Sequence, residues 1–514
     1  MCIAQKMHIV AVHRCIDNRK DQIILPFEDS NPLSDPCIED VLVAFPPPPQ
    51  LDVKASAGWV VRLKHWTGLD RAIAYTLMAR FWSAMAGIIN VLLIARFLTP
   101  SEQGYYYTFF SIVALQIVFE LGFSFVVLQL AAHERAQLTF LPDGRVEGNA
   151  VAHSRLASVL QLSVRWYSLA GLLMAAALLP TGMYFFGTHQ HASAEVAWRL
   201  PWCLLVVAAM LAFQIDPVFS FLEGCGYITQ VAHRRLIQAV LGSLLAWTAL
   251  ATHHGLFSPA MVILGQVTVG LVYLFYSHVG RLLKNLLLYP AGENYVGWRS
   301  EIWPFQWRIA ISSLSGYFIF CLFSPVLFAY QGPVAAGRMG MSLSIATALG
   351  GVAMAWMSTK ASPFGNMIAR GDIAALDKLF FRTLWQSTVL LITGAIAFFV
   401  ALLIGGHWVP RFALRLLPPW AFALLLLTTI INHVVFCEGL YLRSHKREPF
   451  LATSVILAIL VGCVTFPLAK FWGANAVVVG YFIVGGLICL GLGTYVFVTK
   501  RREWHGAFSE MKAL

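Results

Sequence analysis

The sequence predicts an all-α polytopic membrane protein with about twelve transmembrane helices in two six-helix lobes around a central cavity. Composition is the first observation: of 514 residues, 58% are hydrophobic and 12% are charged, with a mean hydropathy of +0.70. A soluble domain is about half apolar and about a quarter charged. The other two observations are the length of the apolar runs and the distribution of the basic residues.

The apolar runs are each about twenty residues or longer, which is enough to cross the hydrocarbon core as a helix. Short turns such as Thr99-Pro100 separate them, because proline stops one helix and the next begins directly afterwards. The predicted spans are 72–97, 104–130, 160–187, 197–222, 236–254, 256–277, 303–331, 334–358, 383–405, 418–441, 450–470 and 474–498.

The basic residues support this number of helices, because lysine and arginine concentrate in cytoplasmic loops. With a cytoplasmic N-terminus, the outward loops and helix ends carry few basic residues, namely Arg96, Arg199, Arg338, Arg411, Arg415 and Lys470. The other Lys and Arg of the spans and their loops, and the tail Lys500-Arg501-Arg502, fall on the inward side. We therefore expect both termini in the cytoplasm and a multi-pass protein of the bacterial inner membrane.

The net charge of +11 follows from this topology, so we expect no nucleic-acid partner. The nine cysteines form no CxxC pair, and no histidines have the spacing of a zinc site. A phosphate-binding P-loop and a serine-hydrolase GxSxG motif are also missing from the sequence. We expect no metal site, no cofactor and no enzymatic activity.

The predicted domains follow from composition and from an internal repeat. Residues 1–57 are of mixed polarity without a long apolar run, contain a proline tract at 46–49, and are expected to be a disordered or dispensable extension. The first lobe covers 58–278, a cytoplasmic amphipathic linker covers 279–302, the second lobe covers 303–499, and a cytoplasmic tail covers 500–514.

The repeat aligns the turn after the first helix with the turn after the seventh. Four pairs match at one offset: Pro100 with Pro333, Gly104 with Gly337, Ser111 with Ser344, and Ile112 with Ile345. A second match aligns Phe221-Leu-Glu223-Gly224 with Phe436-Cys-Glu438-Gly439, at the end of the fourth helix of each half. Since each half has an even number of helices, the symmetry axis is expected to run along the membrane normal.

Arg80 and Arg308 are the candidate substrate-binding residues of the cavity. Each lies toward the cytoplasmic end of the first helix of its half, and a guanidinium can bind phosphate oxygens through two hydrogen bonds. The structural alternatives are that Arg308 extends to the membrane interface and that Arg80 forms an ion pair with a carboxylate.

Glu120 and Asp216 are the candidate ion-coupling residues, because an ionisable side chain within a span is costly and usually faces a cavity or a partner. Asp216 precedes Pro217, which frees a backbone carbonyl as a further oxygen ligand. Either carboxylate could bind a proton or a sodium ion. A structural pair between Asp216 and Arg80 is the alternative.

Several stretches together resemble the polysaccharide flippases of the multidrug/oligosaccharidyl-lipid/polysaccharide exporter superfamily. They are Leu98-Thr-Pro-Ser-Glu-Gln-Gly104 with Glu120-Leu-Gly122, Phe221-Leu-Glu-Gly224, Gly332-Pro-Val-Ala-Ala-Gly337-Arg-Met-Gly340, and Ile368-Ala-Arg-Gly371-Asp372 with Leu376-Asp-Lys-Leu-Phe380. The resemblance covers about residues 72–500. It implies two six-helix lobes that flip polyprenyl-pyrophosphate-linked oligosaccharide across the bilayer for lipopolysaccharide or other surface polysaccharide, alongside polysaccharide assembly proteins.

Two other functions are open at this stage. A cation-coupled drug or small-molecule antiporter of the same superfamily would have an apolar cavity that bears carboxylates. A membrane enzyme such as a polysaccharide polymerase would usually have a large extracytoplasmic loop, and every predicted outward loop is short. The sequence therefore favours a transporter, with the flippase as the first interpretation and the antiporter as the alternative.

Overall fold

The structure is a computed structural model that describes residues 71–141, 143–189, 196–290, 295–408, 410–445 and 447–513. The predicted extension at 1–57 lies outside these residues. The first half contains eight α-helices before the linker: α1 Arg71–Phe97, α2 Pro100–Val113, α3 Gln116–Glu120, α4 Phe123–Arg135, α5 Ala150–Thr188, α6 Arg199–Gly224, α7 Ile228–Ala251 and α8 Ser258–Tyr276.

The linker contains a helix, α9 His278–Leu288, and a short π-helical turn at Trp298–Ile302. The second half contains α10 Trp303–Phe320, α11 Phe323–Gln331, α12 Pro333–Ser358, α13 Ala361–Arg370, α14 Ile373–Trp408, α15 Pro410–Ala413, α16 Pro419–Ser444, α17 Leu451–Phe471, α18 Gly473–Tyr481 and α19 Cys489–Ala513. A π-helical segment, Phe482–Ile488, joins α18 to α19.

The helices of the described residues form twelve segments, of which eleven are long and apolar enough to cross a membrane. Nine helices are long and apolar enough to span a membrane, and two bent pairs, α2–α4 and α10–α11, meet the same test together. The remaining segment is α7, which is less apolar because it carries Arg234 and Arg235 but packs between α1 and α8. Each of the twelve predicted spans coincides with one of these segments.

The two ends of the helices define two faces. We call the face at which α1, α5, α7, α10, α14 and α17 begin the basic face, and the face with the turns at Thr99 and Gly332 the hairpin face. The basic face also carries a feature that the sequence analysis did not predict. Strands β1 Leu138–Phe140 and β2 Val146–Gly148 form an antiparallel hairpin between α4 and α5, with Thr139 opposite Glu147.

The turn at the start of α2 is built from local capping chemistry. Thr99 caps the helix: its hydroxyl accepts from the backbone N–H of Glu102, and the Glu102 carboxylate accepts from the N–H of Thr99. Pro100 occupies the first helical turn, where its missing N–H costs nothing. This arrangement reverses the chain within a few residues and leads directly to Gly104.

The repeat predicted from the sequence appears as a contact between its own equivalent residues. A Cβ atom on Gly104 would overlap the Pro333 carbonyl, and a Cβ on Gly337 would lie 2.8 Å from the Gly104 nitrogen. One helical turn further along, Gly340 packs against Tyr107, its equivalent at the same offset. Helices α2 and α12 therefore cross at residues that the repeat relates, as expected for two halves arranged about an axis between them.

Polar and aromatic contacts at the hairpin face hold α2 against the other half at this crossing. The Gln103 side-chain amide donates to the carbonyls of Gly337 (2.8 Å) and Arg415 (3.0 Å), which belong to the other half. Below it, Tyr105 packs edge-on against Phe328 at 4.9 Å between ring centroids. These contacts join the two halves closely on this side of the membrane.

Candidate functional site

The first half contains a cavity of about 150 Å³ that brings Glu120 and Asp216 together. It lies between α3, α4, α5, α6 and α8, so the two predicted ion-coupling residues share one site although they are far apart in the sequence. The polar side chains that line this cavity are Gln116, Glu120, Ser124, Tyr167, Asp216 and Gln266. We call it the acidic cavity.

A break in the second span positions Glu120. Helix α3 ends at Glu120, Leu121 and Gly122 adopt left-handed backbone angles with φ of 51° and 67°, and α4 starts at Phe123. The chain bends by 46° there. A left-handed conformation is unfavourable for a residue with a Cβ such as Leu121, by about 1–2 kcal/mol. The break places the Glu120 carboxyl group at the end of a helix, beside the cavity.

Glu120 has hydroxyl neighbours and no cationic partner among the described residues. Ser124 and Tyr167 line the cavity together with Glu120, and their two hydroxyl oxygens lie 2.8 Å apart. A carboxylate inside a membrane protein that lacks a neighbouring cation is stabilised by taking up a proton or a metal cation. The arrangement around Glu120 therefore suits reversible cation binding.

Asp216 has a different environment, since it pairs with Arg234 of α7 at 2.9 Å. The Arg234 side chain is 4% exposed, while that of Asp216 is 57% exposed and faces the acidic cavity. The guanidinium also lies 3.4 Å from the centre of the Phe219 ring. The alternative that Asp216 pairs with Arg80 is thus wrong, because α7 is the helix that places a cation beside Asp216.

Pro217 adds a backbone feature to the same wall of the cavity. Pro217 lies inside α6. Because proline has no N–H, it cannot donate to the carbonyl of Phe213, one turn earlier. Both residues line the cavity. The carbonyl of Phe213 would therefore be the predicted oxygen ligand next to Asp216, and its role as a ligand stays a prediction.

Arg80 and Arg308, the candidate substrate-binding residues, do not line the acidic cavity. Arg80 is exposed near the basic end of α1 and donates to the Ser358 hydroxyl, at the end of α12, at 3.1 Å. Arg308 is exposed on α10, with its guanidinium 5.3 Å from the ring centre of the adjacent Trp307. Neither has a carboxylate within ion-pairing distance in the part of the chain that the structure describes.

The second half has its own cavity of about 180 Å³, between α10, α16, α17 and the segment that joins α18 to α19. Its lining includes Asn432 and Arg443 but no carboxylate among the described residues. Glu438, the repeat equivalent of Glu223, is instead buried and accepts a hydrogen bond from Thr494 at 3.0 Å. The two halves therefore differ in charge although they share a topology.

Sequence reasoning missed two buried polar groups. Arg234 lies two residues before the predicted span 236–254, among the inward basic residues, yet the structure buries it in α7 beside Asp216. His433 was not singled out, yet its ring lies 2.9 Å from the Ser387 hydroxyl and both residues are buried. The available signal was a polar side chain within an apolar run, which by default faces a partner or a cavity.

No protein-family model and no curated protein matches the sequence. Solved structures do match, and one is described as the inward-facing conformation of a multidrug resistance MATE family transporter of the MOP superfamily. Its TM-score is 0.54 and its identity 14%, covering 88% of this chain and 98% of that one. An outward-facing conformation of a MATE family transporter has a TM-score of 0.47 and an identity of 14%. That match covers 89% of this chain and 100% of the other. A MOP superfamily transporter from Pyrococcus furiosus has a TM-score of 0.45 and an identity of 13%, with 89% of this chain and 100% of the other covered.

The similarity confirms the predicted fold class: an all-α polytopic membrane protein with about twelve transmembrane helices in two six-helix lobes around a central cavity. The neighbours are transporters and not enzymes. The expected architecture is therefore confirmed at the level of the fold, whereas the polysaccharide-flippase branch is not singled out. The chain is similar in fold to a multidrug resistance MATE family transporter of the MOP superfamily.

Proposed function

We propose that the protein is a cation-coupled exporter of small organic molecules that works by alternating access. The observation that carries this proposal is the acidic cavity, in which Glu120 faces hydroxyl groups and has no cationic partner within the described chain. Glu120 would bind the coupling ion, either a proton or sodium. The similarity in fold to a MATE family transporter supports the same class of function.

The two carboxylates would have different roles. Asp216 is held by Arg234 at 2.9 Å, so its charge is already balanced, and it would set the position of the cavity wall. Glu120 would carry the exchangeable ion, because binding a cation removes the cost of an unbalanced charge within the membrane. Release of that cation on one side would favour the conformation open to the other side.

Transport by purified protein in liposomes tests the proposal, with an imposed proton or sodium gradient and ethidium as the probe. We expect gradient-driven ethidium transport, and a loss of at least about tenfold in Glu120→Gln, since removing the ionisable group removes the coupling. Glu147→Gln is the matched control, because Glu147 is exposed on β2 outside the helices, and it should transport at the wild-type rate. Equal rates for Glu120→Gln and wild type would contradict the assignment.

A second candidate function is the flipping of polyprenyl-pyrophosphate-linked oligosaccharide. The favouring observation is that Arg80 and Arg308 are exposed near the basic ends of the equivalent helices α1 and α10, where Arg80 also contacts α12. Their guanidinium groups would bind the pyrophosphate entering from the inner leaflet while the polyprenyl tail stays in the bilayer. Polysaccharide assembly proteins would then be partners.

A bacterial host that lacks the gene distinguishes the two candidates. For a flippase, deletion abolishes surface polysaccharide, lipid-linked units accumulate inside, and Arg80→Ala fails to restore export although it is present as folded protein. Arg96→Ala, at the other end of the same helix, is the control and should restore it. Normal polysaccharide together with increased drug sensitivity would select the small-molecule exporter.

The proposed location is the bacterial inner membrane with both termini in the cytoplasm. The concentration of arginine and lysine at the basic face supports this orientation. Reporter fusions at residue 514 and in the turn at Gly332 would test it, and a cytoplasmic signal from the Gly332 fusion would reverse the assignment.

A further inference from the structure

We propose that the groove beside helix α9 is a binding site for an anionic phospholipid at the basic face. The groove has a volume of about 810 Å³ and lies between α5, α6, α8 and α9. Its walls are apolar, and its rim carries Arg281 and Lys284, one helical turn apart on α9. Among the lining residues there is no carboxylate in the described chain.

The position of the groove matches the boundary between lipid tails and headgroups. Helix α8 ends at Tyr276, and α9 begins two residues later, so the groove lies where a membrane span meets its surface helix. Phe275 and Tyr276 are 79% and 89% exposed, and both line the groove. Exposed aromatic side chains are typical of the membrane interface.

The walls of the groove are fixed before any lipid binds. The Gln161 side-chain amide of α5 donates to three carbonyls at the end of α9, the shortest at 2.8 Å to Tyr289. Asn285 of α9 donates to the Gly144 carbonyl of the β-hairpin at 2.9 Å. Leu282 and Leu286 are buried. Because α9 is held from both sides, binding would not require the helix to become ordered.

The chemistry of the rim selects the occupant. Two cations one turn apart can bind one phosphodiester, and the Ser277 hydroxyl, which has no hydrogen-bond partner within the described chain, lies in the same lining. The exposed Leu287 and Leu288 and the partly buried Val164 offer the apolar surface that acyl chains need. A soluble phosphate would use the rim alone, whereas a phospholipid uses the rim and the walls together.

Native mass spectrometry of the full chain in detergent tests the site, with phosphatidylglycerol and phosphatidylcholine as probes. We expect preferential retention of phosphatidylglycerol, and an affinity about 30-fold lower in Arg281→Gln/Lys284→Gln, given about fivefold for each basic residue near a membrane surface. The matched control is Arg370→Gln/Lys378→Gln, which removes two exposed charges from the same face outside the groove and should bind as wild type.

A variant of the groove wall and a competition experiment complete the test. Leu287→Asp, at an exposed position on the wall, should also lower retention without affecting the folded yield. Glycerol phosphate at the same concentration should not displace the lipid. The proposal is overturned if the double variant retains phosphatidylglycerol like wild type, if phosphatidylcholine binds equally well, or if glycerol phosphate displaces the lipid.

Discussion

At the scale of single residues, two glycines set how closely the lobes approach. Gly104 and Gly337 meet where α2 crosses α12, and neither has room for a Cβ atom. The other decisive residues are charged: Arg234 is buried within the protein and forms an ion pair with Asp216. Both features can be tested by substitutions that change few atoms.

Gly104→Ala is predicted to destabilise the folded protein by about 1–3 kcal/mol, because the added methyl group overlaps the Pro333 backbone and forces the helices apart. The measurement is thermal unfolding in detergent, followed by size-exclusion chromatography. Gly87→Ala is the control, since no atom lies within 4 Å of a Cβ there and α1 gains a better helix former. An equal loss of thermal stability in both variants would show that the crossing of α2 and α12 has no special role.

Asp216→Asn is predicted to lower the free energy of unfolding by about 2 kcal/mol, because it leaves the Arg234 charge buried without its partner. The effect is smaller than for a fully buried pair, since the Asp216 side chain is 57% exposed. The double variant Asp216→Asn/Arg234→Met should recover most of the loss. If Arg234→Met gives no recovery, the ion pair is not the source of the effect.

Whether the sequence predicts the role of one of these residues depends on whether that role is set by local sequence or by tertiary packing. Pro100 and Gly104 have local turn preferences and a matched repeat partner, so their role is readable from the sequence. The pairing of Asp216 with Arg234 depends on which faces of α6 and α7 meet, and periodicity does not determine that. The same limit explains why Arg80 was considered as the partner of Asp216.

At the scale of helices and strands, apolar length predicts the spans well but not their internal breaks. The second span was predicted as one helix, yet it breaks at Leu121-Gly122. At the break Gly122 packs against α10, where a Cβ atom would overlap the side chain of Ile309, and apolar length does not predict such a tertiary contact. The β-hairpin also escaped prediction, since its strands have only three residues each.

The linker is attached to the first lobe by ion pairs that should depend on pH. Arg155 of α5 bonds Glu134 at 2.8 Å and Glu301 at 2.6 Å. The hydrogen bonds from Arg155 hold the pKa of the Glu301 carboxyl group below its usual range. The Glu301 contribution to stability is therefore complete above the unfolded-state pKa of about 4.3 and is lost as pH falls through the lower folded-state pKa.

The corresponding prediction compares wild type with Glu301→Gln in thermal unfolding across pH. Wild type should be more stable by up to about 1 kcal/mol from pH 5 to 7, a modest value because the Glu301 side chain is 34% exposed. The difference should disappear near pH 3. A difference that stays constant over this range would mean that the ionised carboxylate is not responsible.

At the scale of the whole molecule, the two lobes share a topology but differ in chemistry. The first lobe encloses the acidic cavity, while the second has a cavity whose described lining lacks a carboxylate. The contacts of Gln103 and Arg415 close the hairpin face between the lobes. On the proposed function, cation binding at Glu120 would change this closure, so that the lobes would open on alternate faces.

The most direct test measures the distance between spin labels at Ser101 and Val334, which are equivalent positions in the two hairpins. The labels go into a protein whose nine native cysteines have been replaced, reconstituted in lipid and studied by double electron–electron resonance. We predict two distance populations whose ratio changes with pH or sodium in the wild type and stays fixed in Glu120→Gln. A single distance that responds to neither ion, or an equal response in both proteins, would contradict the account.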